Sequence, residues 1–443
     1  MGRSCLCGIE WETGLQQNIV RGNRWSTMHY FTYDNHLLQC EEVDLREIAD
    51  AVGTPCYVYS HRTIIRHARA LDEAWSGFDH LTCYSLKANS NLAVLNVLAQ
   101  EGLGADIVSG GELFRALAAG FPPEKIVFSG VGKTADEMRA ALQAGILCFN
   151  VESEAELLAL NRVAQQERKT ASVAVRINPD IDPKTHPKTA TGLKTSKFGI
   201  PHARAVEVYR RAAGMEWVRI VGIDAHIGSP IMSVKPFVDA AKRLVDLVEE
   251  IRAAGIELRT IDIGGGLGIT YDVEEPPSPK EWAGAIGEVL ANAGLRVITE
   301  PGRSIMGNTA ILLTRVLYLK RNETKNFVIV DAAMNDLVRP SLYDSYHRIQ
   351  SVFQRERPTM VADVVGPVCE SSDFLARDRT ITTPEQGDLL AVMSAGAYGF
   401  AMSSTYNSRP RAAEVMVKGD TWQVVRDRES YEDLIRGERV LTI

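Results

Sequence analysis

Residues 81–89 read Leu81-Thr82-Cys83-Tyr84-Ser85-Leu86-Lys87-Ala88-Asn89. The run begins as a buried strand would, apolar and short, and it ends on a lysine. A lysine in that position has two readings. It is a solvated surface charge, the usual state of the residue, or it is a desolvated amine whose lowered pKa lets it form a Schiff base. What decides between them is what the rest of the chain sends to the same place.

Working outward from this run, strand-like segments recur at 81–86, 105–108, 126–129, 148–151, 173–178, 222–226, 260–263 and 297–300, eight in all. Helical spacing precedes them at 62–75 and fills the intervals at 93–100, 112–119, 135–144, 154–168, 203–213, 236–254 and 279–293. Several of these helices run into Gly102, Gly120, Gly145, Gly214, Gly255 or Gly294, the residue type that closes helices in the left-handed conformation. Eight β-α units in succession predict a closed parallel (β/α)8 barrel. An open doubly wound sheet is the alternative. The count of eight weighs against it, and so does the lack of an early Gly-x-Gly-x-x-Gly turn.

After Gly307 the alternation stops. Segments 311–319, 327–330, 360–365, 389–392 and 414–417 read as strands without long helices between them, which predicts a second, mainly antiparallel β domain. Residues 30–60 share that character. The expected organisation is therefore a barrel at 61–310 inserted into one β domain made of 28–60 and 311–443. Residues 1–27 carry no periodic pattern and no apolar core of a signal peptide. They are expected to be a disordered extension whose deletion leaves activity and solubility intact.

Bulk composition excludes several classes. At 443 residues the chain exceeds one comfortable core, and 45% hydrophobic with 24% charged residues is the make-up of a globular protein. A net charge of −7 without a basic run argues against nucleic acid and against an anionic membrane surface. No apolar stretch is long enough for a membrane span. The seven cysteines, Cys5, Cys7, Cys40, Cys56, Cys83, Cys148 and Cys369, are odd in number and scattered, which fits a reducing, cytoplasmic compartment better than a disulfide framework. Cys5 and Cys7 lack the downstream cluster of a zinc site.

In a barrel the active site lies at the C-terminal ends of the strands. Lys87 follows the first strand, Asp106 lies in the second, His226 ends the sixth, Gly264, Gly265 and Gly266 follow the seventh, and Glu300, Gly302 and Arg303 follow the eighth. All fall on one rim. Three glycines in a row are a permissive turn or, in this position, a loop that cradles phosphate through backbone N–H groups. Phosphate beside a lysine suggests pyridoxal 5'-phosphate. Glu300 is then either an N-cap or surface ion pair, or a carboxylate set against the pyridine nitrogen, which favours the protonated ring and a strong electron sink. His226 is either a hydrogen-bonded structural histidine or an imidazole stacked on a flat ring.

Segments 84–89, 226–229, 264–268, 300–304 and 369–373 together resemble the alanine-racemase-fold decarboxylases, the fold type III enzymes that use pyridoxal phosphate. The resemblance runs from about residue 30 to the C-terminus. It implies that Lys87 carries the cofactor, that His226 stacks on it, and that Glu300 pairs with the pyridine nitrogen. It further implies that Gly264, Gly265, Gly266, Gly302 and Arg303 hold the phosphate, with Asp106, Ser229 and Tyr398 close by. Segment 339–344 resembles the family's substrate-binding stretch, which assigns Arg339 and Tyr343, with Arg303 and Tyr398, to the substrate. Cys369 and Glu370 resemble the pair that reaches into a neighbouring subunit's site, the cysteine as proton donor and the glutamate on the substrate's distal ammonium. Two departures stand out: Pro230 follows Ser229 where relatives often carry Gln, and residues before Met28 have no counterpart.

The implied reaction is decarboxylation of an amino acid. Arginines suited to gripping carboxylate together with a glutamate suited to ammonium favour a substrate with both groups at both ends, meso-2,6-diaminopimelate, with L-lysine as product. Decarboxylation of ornithine, arginine, lysine or carboxynorspermidine on the same fold is the nearest alternative, followed by a racemase and by a cofactor-carrying regulatory protein. A residue acting across an interface implies a homodimer with shared sites. No metal ligand set is expected.

Overall fold

In the computed structural model, residues 28–183, 191–192 and 196–442 are described; the expectation for residues 1–27 lies outside them. The eight repeating strands are His80–Ser85, Gly104–Ile107, Ile126–Phe128, Cys148–Val151, Ala171–Asn178, Val218–Asp224, Thr260–Asp262 and Arg296–Thr299. Each pairs in parallel with the next in chain order. The eighth returns to the first, Val297 opposite His80 and Ile298 opposite Leu81, so the sheet closes into a barrel.

Local sequence explains why the helices start where they do. Ser109, Thr134, Ser153 and Ser278 each accept a hydrogen bond from a first-turn backbone N–H of the helix they precede, and Thr134 and Ser278 form reciprocal capping boxes with Glu137 and Glu281. Gly120 and Gly145 close their helices at φ +94° and +76°. Gly214 does not: it stays right-handed at φ −83°, so the left-handed cap expected there is absent. Between helices, Trp282 packs edge-on to Trp75 with ring centres 5.4 Å apart, and both rings are fully buried.

The second sheet runs in the order Phe374–Thr382, Thr359–Val365, Asn326–Val330, Ala310–Arg321, Cys56–Ser60, Ala413–Lys418, Thr421–Arg426. Most of its pairs are antiparallel. Two are parallel, Asn326–Val330 with Thr359–Val365 and Cys56–Ser60 with Ala413–Lys418. The expectation that residues 30–60 are all strand-like needs correcting, since Leu45–Val52 is a helix. Asp44 caps it at 2.7 Å from Arg46 N, and Leu45, Ile48 and Ala49 are its buried stripe, a short 3-4 spacing that neighbouring strands obscure.

Two features fix the barrel mouth against this sheet. The single-turn helix Arg303–Met306 after the eighth strand leads through Gly307–Thr309 directly into Ala310–Arg321. In addition, Asn89 donates to Tyr59 Oη at 3.0 Å and to Gly396 O at 3.2 Å, so the turn that carries Lys87 is tied to the second sheet. Among the described residues no helix is long and apolar enough to cross a membrane.

Candidate active site

Where the barrel mouth meets the second sheet lies a cavity of about 670 Å³. Lys87, His226, Ser229, Arg303, Arg339, Tyr343 and Tyr398 form part of its wall. All seven were singled out from the sequence, from segments up to three hundred residues apart. The chain brings them together from five segments: three follow the first, sixth and eighth barrel strands, and two, carrying Arg339 with Tyr343 and Tyr398, come from the second domain.

Lys87 stands just past the first strand on the 3₁₀ turn Leu86–Ala88. Its ammonium donates to Asp106 Oδ2 at 2.8 Å, and Ser85 Oγ donates to the same oxygen at 2.7 Å. Here the structure reverses the expectation of a lowered pKa. Burial works to lower the amine, but Asp106, Glu300 and Tyr398 outweigh it and hold Lys87 well above the ordinary lysine value. The other carboxylate oxygen of Asp106 is buried without a partner.

Below the cavity lies a group of carboxylates. Glu300 accepts from Ser129 Oγ at 3.1 Å and from Asn150 Nδ2 at 3.3 Å. One oxygen each of Asp224, Asp262 and Glu300 lies within 4.8 Å of the others. Burial first, and then the charge of neighbouring carboxylates, raises all three: Glu300 and Asp224 far above the carboxylate range, and Asp262, repelled by Asp106, to about 6. They therefore retain protons at pH values where free carboxylates have lost them. Arg176 compensates part of the charge, donating to Glu152 at 2.8 Å and lying 3.8 Å from Asp224. His226 moves the other way. Burial, helped by Arg176 and Lys87, pushes it far below the usual imidazole value, so the ring is neutral and its Nδ1 accepts from Gly265 N–H at 3.2 Å.

The glycines are needed where backbones touch. A Cβ on Gly265 would collide with Glu300 O, and one on Gly266, which sits at φ +110°, would collide with Gly228 O. Gly264 N–H is taken by Asp262 Oδ1 and Gly265 N–H by His226. The N–H groups of Gly266, Gly302 and Arg303 have no protein acceptor among the described residues, and the helix Arg303–Met306, which Gly302 precedes, has no side-chain cap. Unmatched donors converging beside a lysine, above a buried carboxylate, suit a phosphorylated pyridine aldehyde. The donor set fits pyridoxal phosphate.

Arg303 donates from Nε to Ser229 Oγ at 3.1 Å and from Nη1 to Tyr271 Oη at 2.8 Å. Arg339 donates to Ser345 Oγ at 3.2 Å. Both guanidiniums are buried, and neither lies within ion-pair distance of a carboxylate among the described residues. Buried cations without counter-ions suit an anionic ligand. Tyr398 is held in the left-handed region at φ +57° with its N–H on Ala88 O at 2.7 Å, so its backbone is anchored to the lysine turn. Cys369 and Glu370 do not join this wall. They are exposed elsewhere on the chain, Cys369 N–H bonded to Asn407 Oδ1 at 2.9 Å and Glu370 to Ser372.

Reading the sequence missed Tyr271, Tyr346 and Phe198 in the wall, and Asn150 and Arg176 beneath it. Asn150 and Arg176 carry a usable signal, a polar residue inside an apolar strand. Tyr271 lies only three residues beyond Gly268, but nothing in its spacing distinguishes it from a packed aromatic.

The barrel and its rim define a class, the pyridoxal-dependent decarboxylases: the model of the pyridoxal-dependent decarboxylase pyridoxal binding domain matches residues 61–307. Within that class the likeness is closer still. A diaminopimelate decarboxylase of Pseudomonas aeruginosa is 52% identical over 414 residues, 94% of this chain and 100% of the relative. The structure of diaminopimelate decarboxylase from Helicobacter pylori complexed with L-lysine is 44% identical with a TM-score of 0.86, covering 89% of this chain and 98% of that one. The enzyme from M. jannaschii in co-complex with L-lysine is 38% identical with a TM-score of 0.89, covering 93% and 98%. The chain belongs to the diaminopimelate decarboxylase family.

Proposed function

We propose that this chain removes carbon dioxide from one end of meso-2,6-diaminopimelate to give L-lysine, the last step in making that amino acid, with pyridoxal 5'-phosphate as cofactor. The observation that carries the reading is the pair of buried guanidiniums, Arg303 and Arg339, opening onto the cavity that holds Lys87 with no counter-ion among the described residues. A decarboxylase whose substrate has a plain amine at its distal end has no use for them.

Lys87 is the attachment point, and Asp106 keeps its amine protonated until the cofactor arrives. The chemistry supplied by bound pyridoxal phosphate is acceptance of the electron pair left at Cα when carbon dioxide departs. Glu300, which holds a proton within its buried carboxylate group, is assigned to the pyridine nitrogen, to which it would give that proton, remaining as a carboxylate beside the cationic ring. Neutral His226 is assigned to the ring face, where an uncharged imidazole does not oppose a cationic ring. The unmatched N–H groups of Gly266, Gly302 and Arg303, with Ser229 nearby, take the phosphate. Arg303, Arg339 and Tyr343 orient the substrate through its distal carboxylate, and the aromatic rings in the wall, Phe198 and Tyr346 among them, exclude water.

Reprotonation of Cα needs a donor, and the wall of this chain's own cavity has no thiol among the described residues. Cys369 and Glu370 are exposed and outside that cavity, which supports the reading that they complete the site of a second copy: Cys369 delivering the proton, Glu370 binding the distal ammonium. The active species is then a homodimer with two composite sites. Free thiols throughout the described residues, one of them exposed, suit the reducing cytoplasm. Carbon dioxide release measured on meso-diaminopimelate, ornithine, arginine, lysine and carboxynorspermidine tests the assignment. Release from meso-diaminopimelate alone is the expected result; preference for any of the others defeats it.

A further inference from the structure

Beyond the two arginines, the cavity wall contains a residue that touches both. Tyr271 is buried, and its hydroxyl accepts from Arg303 Nη1 at 2.8 Å while its ring lies under Arg339, whose guanidinium carbon is 5.4 Å from the ring centre. His347 meets the ring edge at 5.5 Å and 79° and fixes its tilt. His347 is itself held through Nδ1 by Met393 O at 2.9 Å, and its Nε2 accepts from Arg339 at 3.4 Å. Glu274 holds the Tyr271 backbone, accepting from the N–H groups of Tyr271 and Asp272 at 2.9 and 2.7 Å. The phenol is thus placed from every side.

Two like charges sharing one wall repel each other, and each is drawn toward any anion that enters. A phenol between them does two things. Its oxygen takes one donor of Arg303 while Ser229 takes Nε, leaving the other N–H groups of that guanidinium for a ligand, and its π face stabilises Arg339 without using any donor. Burial alone raises the Tyr271 phenol, yet Arg303 and Arg339 outweigh it and hold it below the usual phenol value, so the hydroxyl is electron-rich toward both cations.

We propose that Tyr271 is the positioning residue of the two-arginine clamp, setting the geometry with which Arg303 and Arg339 grip a substrate or product carboxylate, and thereby the enzyme's selectivity for ligands that carry one. This rests on the reading of the site given above and adds to it a residue that touches the arginines rather than the reacting carbon.

L-Lysine and cadaverine differ by one carboxylate and separate clamp from scaffold. Calorimetric titration of the holoenzyme with each, beside KM and kcat for meso-diaminopimelate, is the test. Tyr271→Phe keeps the ring under Arg339 and removes the oxygen from Arg303. It is expected to weaken L-lysine and raise KM by about tenfold, the scale of a hydrogen bond to a charged group, leaving cadaverine affinity and kcat within about twofold. Tyr271→Leu, which also removes the π face, is expected to weaken L-lysine further. Equal weakening of both ligands, or unchanged L-lysine affinity in Tyr271→Phe, overturns the proposal. A wild-type enzyme that turns over no meso-diaminopimelate overturns the functional reading and this inference with it.

Discussion

Replacing Asp106 by Asn tests how the lysine is held before the cofactor arrives. Asp106 Oδ2 is 2.8 Å from Lys87 Nζ. Coulomb's law at that distance, with an effective dielectric near 20, gives about 6 kcal/mol as an upper bound. The Lys87 side chain is 39% exposed to the cavity, so solvent screens a large part of this, and about 2 kcal/mol is a reasonable remainder. That corresponds to about 1.5 pH units. The sign is fixed by the charge removed: without Asp106 the ammonium loses its main support, Glu300 and Tyr398 still favour it, and the amine titrates lower. Competitive acetylation of the cofactor-free protein across pH, read by mass spectrometry at Lys87, measures the shift directly. A second consequence follows at neutral pH, where a larger neutral fraction makes capture of pyridoxal phosphate faster in Asp106→Asn than in wild type. A midpoint that stays within half a unit, or that rises, would refute the view that Asp106 holds the lysine protonated.

Cys369→Ala is expected to keep the absorbance of the bound cofactor and to lose about 10²–10⁴ in kcat, the usual contribution of a positioned acid; steady-state turnover beside the absorbance spectrum decides it. Mixing Cys369→Ala with Lys87→Ala subunits restores part of the activity if sites are shared, and subunit exchange without rescue counts against sharing. Asp262→Asn removes a carboxylate that the fold keeps protonated to about pH 6. An acid with a raised folded pKa binds more protons folded than unfolded, so its cost appears as pH climbs from about 4 and is complete above about 6. The variant should therefore melt higher than wild type at pH 8, by the equivalent of about 3 kcal/mol, with the gap narrowing at pH 4.5; a gap that widens on acidification contradicts the buried-acid picture. Gly265→Ala places a methyl against Glu300 O and is expected to cost at least about 2 kcal/mol in stability, read as a lowered melting midpoint and weaker cofactor retention.

Much of the barrel was legible because its elements announce themselves locally. The helix at 135–144 has Thr134 before it, Glu137 inside it and Gly145 after it, and its observed bounds, Ala135–Ala144, are those expected. The rim residues were legible for a different reason: the barrel rule turns eight strand ends into one neighbourhood. What stayed hidden depends on contacts made far away in sequence. Phe374–Thr382 carries Arg377, Asp378 and Arg379 in its exposed stretch, so its alternation is lost even though it pairs along most of Thr359–Val365. Leu45–Val52 is too short to show more than two helical turns. The charge state of Lys87 could not be read locally at all, because Asp106 and Glu300 reach it only when the strands close. Likewise the exposure of Cys369 and its place outside the chain's own cavity follow from the fold, which no segment of sequence displays.

The most direct measurement is the yield of L-lysine from meso-diaminopimelate in the presence of pyridoxal 5'-phosphate, with carbon dioxide quantified in the same vessel. Equimolar L-lysine and carbon dioxide, abolished by Lys87→Ala, is the predicted result. Absence of L-lysine from fully cofactor-loaded wild-type protein, or product formation that survives Lys87→Ala, contradicts it.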